Sequence, residues 1–154
     1  MNHKSPADFR EQLIYQLIVL GDDKSLFLDN HAPAHGNKRN QLDSFLSKYV
    51  QAVELLLSKT DDQLSSVVLI GSHVTITYLS DQEQEQFTIV LPDQSDPNNH
   101  HISFLSPLAN QLLLKHPDTI LSIDTPMGDT QIKIDKISLP IDPIPINRHG
   151  FYGE

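Results

Sequence analysis

The sequence predicts an α+β fold in which an N-terminal helical hairpin is followed by a small sheet domain with one short helix. Three observations predict this fold. Apolar residues recur every three or four positions in residues 1–65, which is typical of amphipathic helices. From residue 66 the apolar period changes to two, which is typical of strands, and the net charge changes from −2 before that point to −7 after it. We therefore place a hairpin in residues 1–65, a sheet domain in 66–138 and an extended, proline-rich tail in 139–154.

The helical part is expected to consist of two helices. The first should begin at Pro6 and end at Gly21, because proline is favoured at the first helical position and glycine at the C-terminal end. The second is expected after Asn37, with an apolar stripe from Leu42 to Leu57. Two such helices joined by a loop over residues 21–36 predict an antiparallel hairpin.

The sheet domain is expected to contain four or five strands and one helix. The short helix should follow Ser106-Pro107. The last two strands should form a hairpin, because Pro126 and Gly128 favour a turn between them. The expected strands are residues 74–78, 87–90, 101–105, 119–124 and 131–137.

The composition excludes several classes of protein. Without cysteine the chain has no disulfide, no thiolate metal site and no cysteine nucleophile. A net charge of −9 argues against a partner held mainly through phosphates. The apolar runs, such as 17–20 and 112–114, are too short to span a bilayer, so we expect no membrane association and a cytoplasmic location.

No common catalytic or metal-binding motif is present. The sequence lacks the G-x-S-x-G and G-x-x-x-x-G-K patterns. His31 and His35 are four residues apart, but Pro33 and Gly36 place them in the predicted loop and not on one helical face. We therefore expect no metal site built from histidines.

Three carboxylates in the predicted interhelical loop have two interpretations. Asp22, Asp23 and Asp29 could share a Mg²⁺ ion with a partner that supplies the remaining ligands. They could instead be solvated residues with a preference for turns. The residue types alone favour the second interpretation.

The second half of the chain resembles the C-terminal domain of the GreA/GreB transcript-cleavage factors of bacterial RNA polymerase. The resemblance covers roughly residues 67–137, where several short stretches follow the order and spacing of the family. These stretches are residues 69–74, 87–90, 102–103, 106–109, 112–113 and 125–128, together with Asp96.

The resemblance implies an FKBP-like antiparallel sheet domain preceded by an antiparallel coiled coil, with RNA polymerase as the partner. It implies docking on the polymerase through Ser106, Pro107 and Leu108, while the coiled coil enters the secondary channel. In the family, two carboxylates at the hairpin tip hold a Mg²⁺ ion shared with the polymerase active site. Because the polymerase carries out the chemistry, we expect no enzymatic activity, no cofactor of the factor's own, and nucleic-acid contact only within the transcription complex.

The tip sequence departs from the family pattern Gly-Asp-x-x-Glu-Asn. Alignment of residues 21–26 puts Asp22 on the family's aspartate but Ser25 on its glutamate, which removes one negative Mg²⁺ ligand. The regulator of nucleoside diphosphate kinase, a branch with a short coiled coil and no acidic tip, is similar in layout. We therefore interpret the chain as a divergent member of the superfamily, and the departures argue against cleavage stimulation.

Two other functions stay open. The implied fold type is shared with peptidyl-prolyl isomerases, but residues 66–137 contain few aromatic residues for an isomerase pocket, namely Tyr78, Phe87 and Phe104. Alternatively, the chain is a non-transcriptional interaction module that binds a basic partner through its acidic surface and its tail.

Overall fold

The computed structural model describes residues 6–139, so the predicted tail lies outside the described residues from residue 140 onward. The described residues form two compact units. One consists of residues 10–64, and the other of residues 65–139 together with residues 6–9. Within the described part of the chain, no helix is long and apolar enough to cross a bilayer.

The helical unit contains more helix than the sequence predicts. Helix α1 (Pro6–Leu17) continues through a single π-helical turn (Ile18–Asp22) into α2 (Lys24–His31), and α3 (Asn37–Leu57) follows. The prediction that Gly21 ends the first helix is therefore wrong, and so is the loop prediction for residues 24–31. Gly21 does not take up the left-handed conformation of a helix end, and the Cβ of any residue placed there would lie 3.6 Å from Val50.

The predicted antiparallel hairpin is confirmed by the contacts along α3. Side chains of α1 contact the C-terminal half of α3. Side chains of α2, which come later in the chain, contact the N-terminal half of α3. The side-chain bonds that show this order are Arg10 to Leu57 O at 2.9 Å, Tyr49 to Gln16 at 2.7 Å, Lys24 to Asp43 at 2.7 Å and Arg39 to Asp29 at 2.9 Å. The bond between Tyr49 and Gln16 is buried, and Leu46 and Val53 extend the apolar stripe around it.

The second unit is a five-stranded sheet with the order β3-β2-β1-β5-β4. Its strands are β1 (His73–Tyr78), β2 (Glu83–Val90), β3 (His101–Ser103), β4 (Ile120–Thr125) and β5 (Gly128–Ser138). The α+β class is confirmed, but the sheet is mixed and not wholly antiparallel, because β3 runs parallel to β2. The connection between these strands contains Pro92 and Pro97, each of which begins a 3₁₀ turn. A connection of this length and shape lets the chain enter β3 in the direction of β2, whereas a tight hairpin would reverse it.

The core of this unit is formed by residues of the sheet and of helix α4 (Pro107–Leu112). Alternate residues of the central strands share one face of the sheet, and Val74, Ile76 and Ile134 are fully buried. Ala109 and Leu112 on α4 are also fully buried. Helix α4 follows the edge strand β3 in the chain and contacts the opposite edge strand β4.

Phe9 in the first turn of α1 groups with the sheet unit and is buried. It packs against Gly71, whose φ of +106° lies in the region that favours glycine. The Gly71 amide donates a hydrogen bond of 2.6 Å to the carbonyl oxygen of Ile89. This turn therefore depends on a residue without a side chain.

Candidate partner-docking site

Ser106, Pro107 and Leu108, which we call the docking segment, form the start of α4. Ser106 is the N-cap residue, and its hydroxyl accepts a hydrogen bond of 3.3 Å from the backbone N–H of Ala109. Pro107 occupies the first helical position, where its missing N–H costs nothing. The capped turn therefore holds Pro107 exposed at the surface, with Leu108 half-buried beside it.

Gln111, which the sequence analysis did not single out, connects the docking segment to β4. Its side-chain Nε2 donates to the carbonyl oxygen of Pro107 at 2.7 Å and to that of Asp124 at 3.3 Å. Its Oε1 accepts from the backbone N–H of Asp124 at 3.1 Å. A glutamine one turn into a helix gives no sequence signal of this role, because its partner is thirteen residues away.

The turn between β4 and β5 follows directly after Asp124, and the predicted hairpin is confirmed there. The Thr125 hydroxyl donates to the carbonyl oxygen of Gly128 at 2.6 Å and accepts from the backbone N–H of Met127 at 3.2 Å. Gly128 has a φ of +112°, which explains the glycine at the end of the turn. Met127 projects from this turn with 97 % of its surface exposed.

Two carboxylates face each other at the base of the same turn. Asp124 and Asp129 are directly opposite in the register of β4 and β5. Because the backbone groups of Asp124 point outward to Gln111, the two aspartates form a non-hydrogen-bonded pair, in which side chains lie closest. The hydrogen bond with the Asp124 side chain, followed by the negative charge of Asp124, raises the pKa of Asp129.

The three carboxylates predicted for the hairpin tip do not lie in the short connection between α2 and α3. Asp22 ends the π-helical turn, Asp23 lies between that turn and α2, and Asp29 lies within α2. Asp29 forms an ion pair of 2.9 Å with Arg39. All three are exposed, and no group of three or more metal-binding side chains occurs in residues 6–139.

The histidines of the predicted loop are separated as well. His31 is the last residue of α2, which corrects its assignment to the loop, and its ring lies 4.3 Å from that of Phe27. His35 lies in the connection before α3. The expectation that the two do not share a helical face stays consistent with these positions.

Comparison with known proteins identifies the family. The sequence model described as "Transcription elongation factor, GreA/GreB, C-term" matches residues 61–139, which is half of the chain and includes the docking segment, Gln111 and the β4–β5 turn. The chain belongs to this GreA/GreB C-terminal family.

The similar proteins carry the same family name. Transcription elongation factor GreA of Bacillus subtilis is 42 % identical over 78 residues, which are 51 % of this chain and 50 % of that protein. GreA of Halalkalibacterium halodurans is 33 % identical over 94 residues, which are 61 % of this chain and 58 % of that protein. The chain thus matches about half the length of these curated relatives.

Two solved structures also align with the chain. The crystal structure of GreA factor homolog 1 of Thermus thermophilus gives a TM-score of 0.43 at 19 % identity, covering 90 % of this chain and 97 % of that one. The GreA/GreB factor of Nitrosomonas europaea gives a TM-score of 0.44 at 23 % identity, covering 58 % and 78 %.

Proposed function

We propose that this protein binds bacterial RNA polymerase through its sheet unit and regulates transcription elongation. The observation that carries the proposal is the family match over residues 61–139, which contains the complete docking segment. The Ser106 cap and the two-sided hydrogen bonding of Gln111 hold Pro107 in one exposed position. A surface fixed before binding loses little conformational freedom in the complex, which favours specific docking.

The helical hairpin would then enter the secondary channel of the polymerase, and the polymerase would perform all chemistry. We propose that the bound protein does not stimulate cleavage of the transcript. The support for this is the position of the carboxylates, since Asp22 and Asp23 lie before α2 and Asp29 is paired with Arg39. A Mg²⁺ ion shared with a partner needs several oxygen ligands directed at one point. A polymerase partner implies action in the cytoplasm.

Direct binding to core RNA polymerase tests the proposal. The sequence contains no cysteine, so a single cysteine at the exposed turn residue Ser80 can carry a fluorophore. Fluorescence anisotropy during titration with core polymerase then gives the dissociation constant. We expect saturable binding, and transcript cleavage in stalled elongation complexes should stay at the rate of the polymerase alone.

The matched variants are Pro107→Ala and Pro97→Ala. Both prolines are exposed and each occupies the first position of a short helical turn, but Pro97 precedes β3 whereas Pro107 follows it. Loss of a central interface contact costs more than about 1 kcal/mol, so Pro107→Ala should weaken binding about tenfold. Pro97→Ala should bind like the unmodified protein, and an equal effect of both changes would contradict docking through the docking segment.

A further inference from the structure

We propose that the β4–β5 turn is a second part of the polymerase-docking surface, with Met127 as its apolar contact residue. This inference rests on the proposed function and extends it to residues outside the docking segment. The partner surface that fits this turn is an apolar depression flanked by a lysine or arginine side chain.

The first argument is proximity. The carbonyl oxygens of Pro107 and Asp124 both accept from the same nitrogen of Gln111, at 2.7 and 3.3 Å. Those two oxygens are therefore at most 6.0 Å apart. Because the β4–β5 turn begins at the next residue, Thr125, it emerges beside the first turn of α4. A partner that covers Pro107 would reach this turn without a break in the interface.

The second argument is the exposure and the fixed position of Met127. Five large apolar side chains are exposed in the described part of the chain, and Met127 is the most exposed, at 97 % against 52–62 % for the others. The hydrogen bonds of the Thr125 hydroxyl hold the turn that presents it. Methionine is apolar and adapts its shape to a partner surface, so a fixed turn with methionine at its tip suits a binding contact.

The third argument concerns the charge beside Met127. Asp124 and Asp129 face each other at the base of the turn, and like charges directly opposite in a sheet repel. The hydrogen bond with the Asp124 side chain, followed by the negative charge of Asp124, raises the pKa of Asp129. A cationic side chain of the partner placed beside this pair would relieve the repulsion, which defines the basic flank of the expected partner surface.

The anisotropy titration with core RNA polymerase tests the inference with Met127→Ala. Burial of most of a methionine side chain contributes enough to change the dissociation constant about tenfold, so we expect binding to weaken by that factor. The matched control is Ile120→Ala, which truncates another exposed apolar residue at the other end of the same strand pair. The control should leave the affinity unchanged.

The outcomes separate this inference from the proposed function. If Pro107→Ala weakens binding but Met127→Ala does not, the turn lies outside the interface and the inference fails, while the proposed function stands. If the unmodified protein does not bind core polymerase, both fail. Asp129→Asn should also make binding less sensitive to salt, and an unchanged salt dependence would contradict the basic flank.

Gln111 should act as a positioning residue that keeps the two parts of the surface together. Gln111→Ala should weaken binding to the polymerase. The loss of affinity should be smaller in a protein that already carries Met127→Ala, because Gln111 would then no longer position an apolar contact residue. Equal losses in the two backgrounds would show that Gln111 does not position Met127.

Discussion

Replacement of Gly71 by alanine would introduce a Cβ atom 2.7 Å from Cε1 of Phe9. Carbon atoms pack at about 3.5–4.0 Å, so the phenyl ring would have to move by about 1 Å. Phe9 is only 3 % exposed, so its neighbours would have to move as well, and overpacking of this kind costs about 1–3 kcal/mol. The φ of +106° adds a backbone cost of about 1–3 kcal/mol for any residue with a side chain.

Gly128 provides the matched control for this substitution. Its φ of +112° is nearly the same, but no heavy atom beyond its two chain neighbours lies within 4 Å of the position where a Cβ would be added. Gly128→Ala should therefore pay only the backbone cost. Gly71→Ala should destabilise the protein by about 2 kcal/mol more than Gly128→Ala does. For a protein of this size, that difference corresponds to a melting temperature roughly 4–8 °C lower.

Urea denaturation and thermal unfolding followed by circular dichroism measure both variants. A double-mutant cycle with Phe9→Leu adds a second test, because Gly71→Ala should cost less when the ring is absent. Equal destabilisation by Gly71→Ala and Gly128→Ala would refute the packing of Phe9 on this turn.

Three further changes have defined expected results. Gly21→Ala should raise the free energy of unfolding by about 0.5–1 kcal/mol in urea denaturation, because the new methyl would meet Val50 at an ordinary 3.6 Å and alanine favours helix. Ser106→Ala should lower it by about 1 kcal/mol through loss of the helix cap, whereas a change below the error would contradict the capping bond. The folded state raises the pKa of Asp129, so its ionisation destabilises the fold as pH rises through that pKa. Asp129→Asn should therefore raise the melting temperature at pH 7, and this gain should disappear in acid, where Asp129 is protonated. A gain independent of pH would contradict the repulsion.

Local patterns predict the elements whose determinants lie within a few residues. The spacing of Leu46, Tyr49 and Val53 is that of one helical face, and these residues are buried in the hairpin. Pro126 and Gly128 predict the last turn because their backbone preferences fit few other conformations. Gly21 shows the limit of prediction from local patterns, because glycine is compatible both with a helix end and with close packing. The neighbouring Val50 that decides between them is 29 residues away in sequence and is revealed only by tertiary structure.

In the candidate site, too, only the residues with a local sequence signal could be predicted. The Ser106-Pro107 pair is a local helix-start signal, and the structure places both residues at the start of α4. Gln111 and Met127 could not be found this way, because a glutamine on a helix and a methionine in a turn have no fixed role in sequence. The roles proposed for them depend on the approach of α4 to β4. The direction of β3 escaped prediction for a related reason, since pairing direction depends on the path of the whole connection from β2.

Competition for core RNA polymerase tests the central claim most directly. The labelled protein is first bound to core polymerase, and unlabelled Bacillus subtilis GreA is then added while the anisotropy is followed. If the protein docks on the surface used by this family, GreA should displace it completely. The apparent dissociation constant of the labelled protein for the polymerase should rise linearly with the GreA concentration. Simultaneous binding of both proteins, or no binding of the labelled protein to the polymerase at all, would contradict the account.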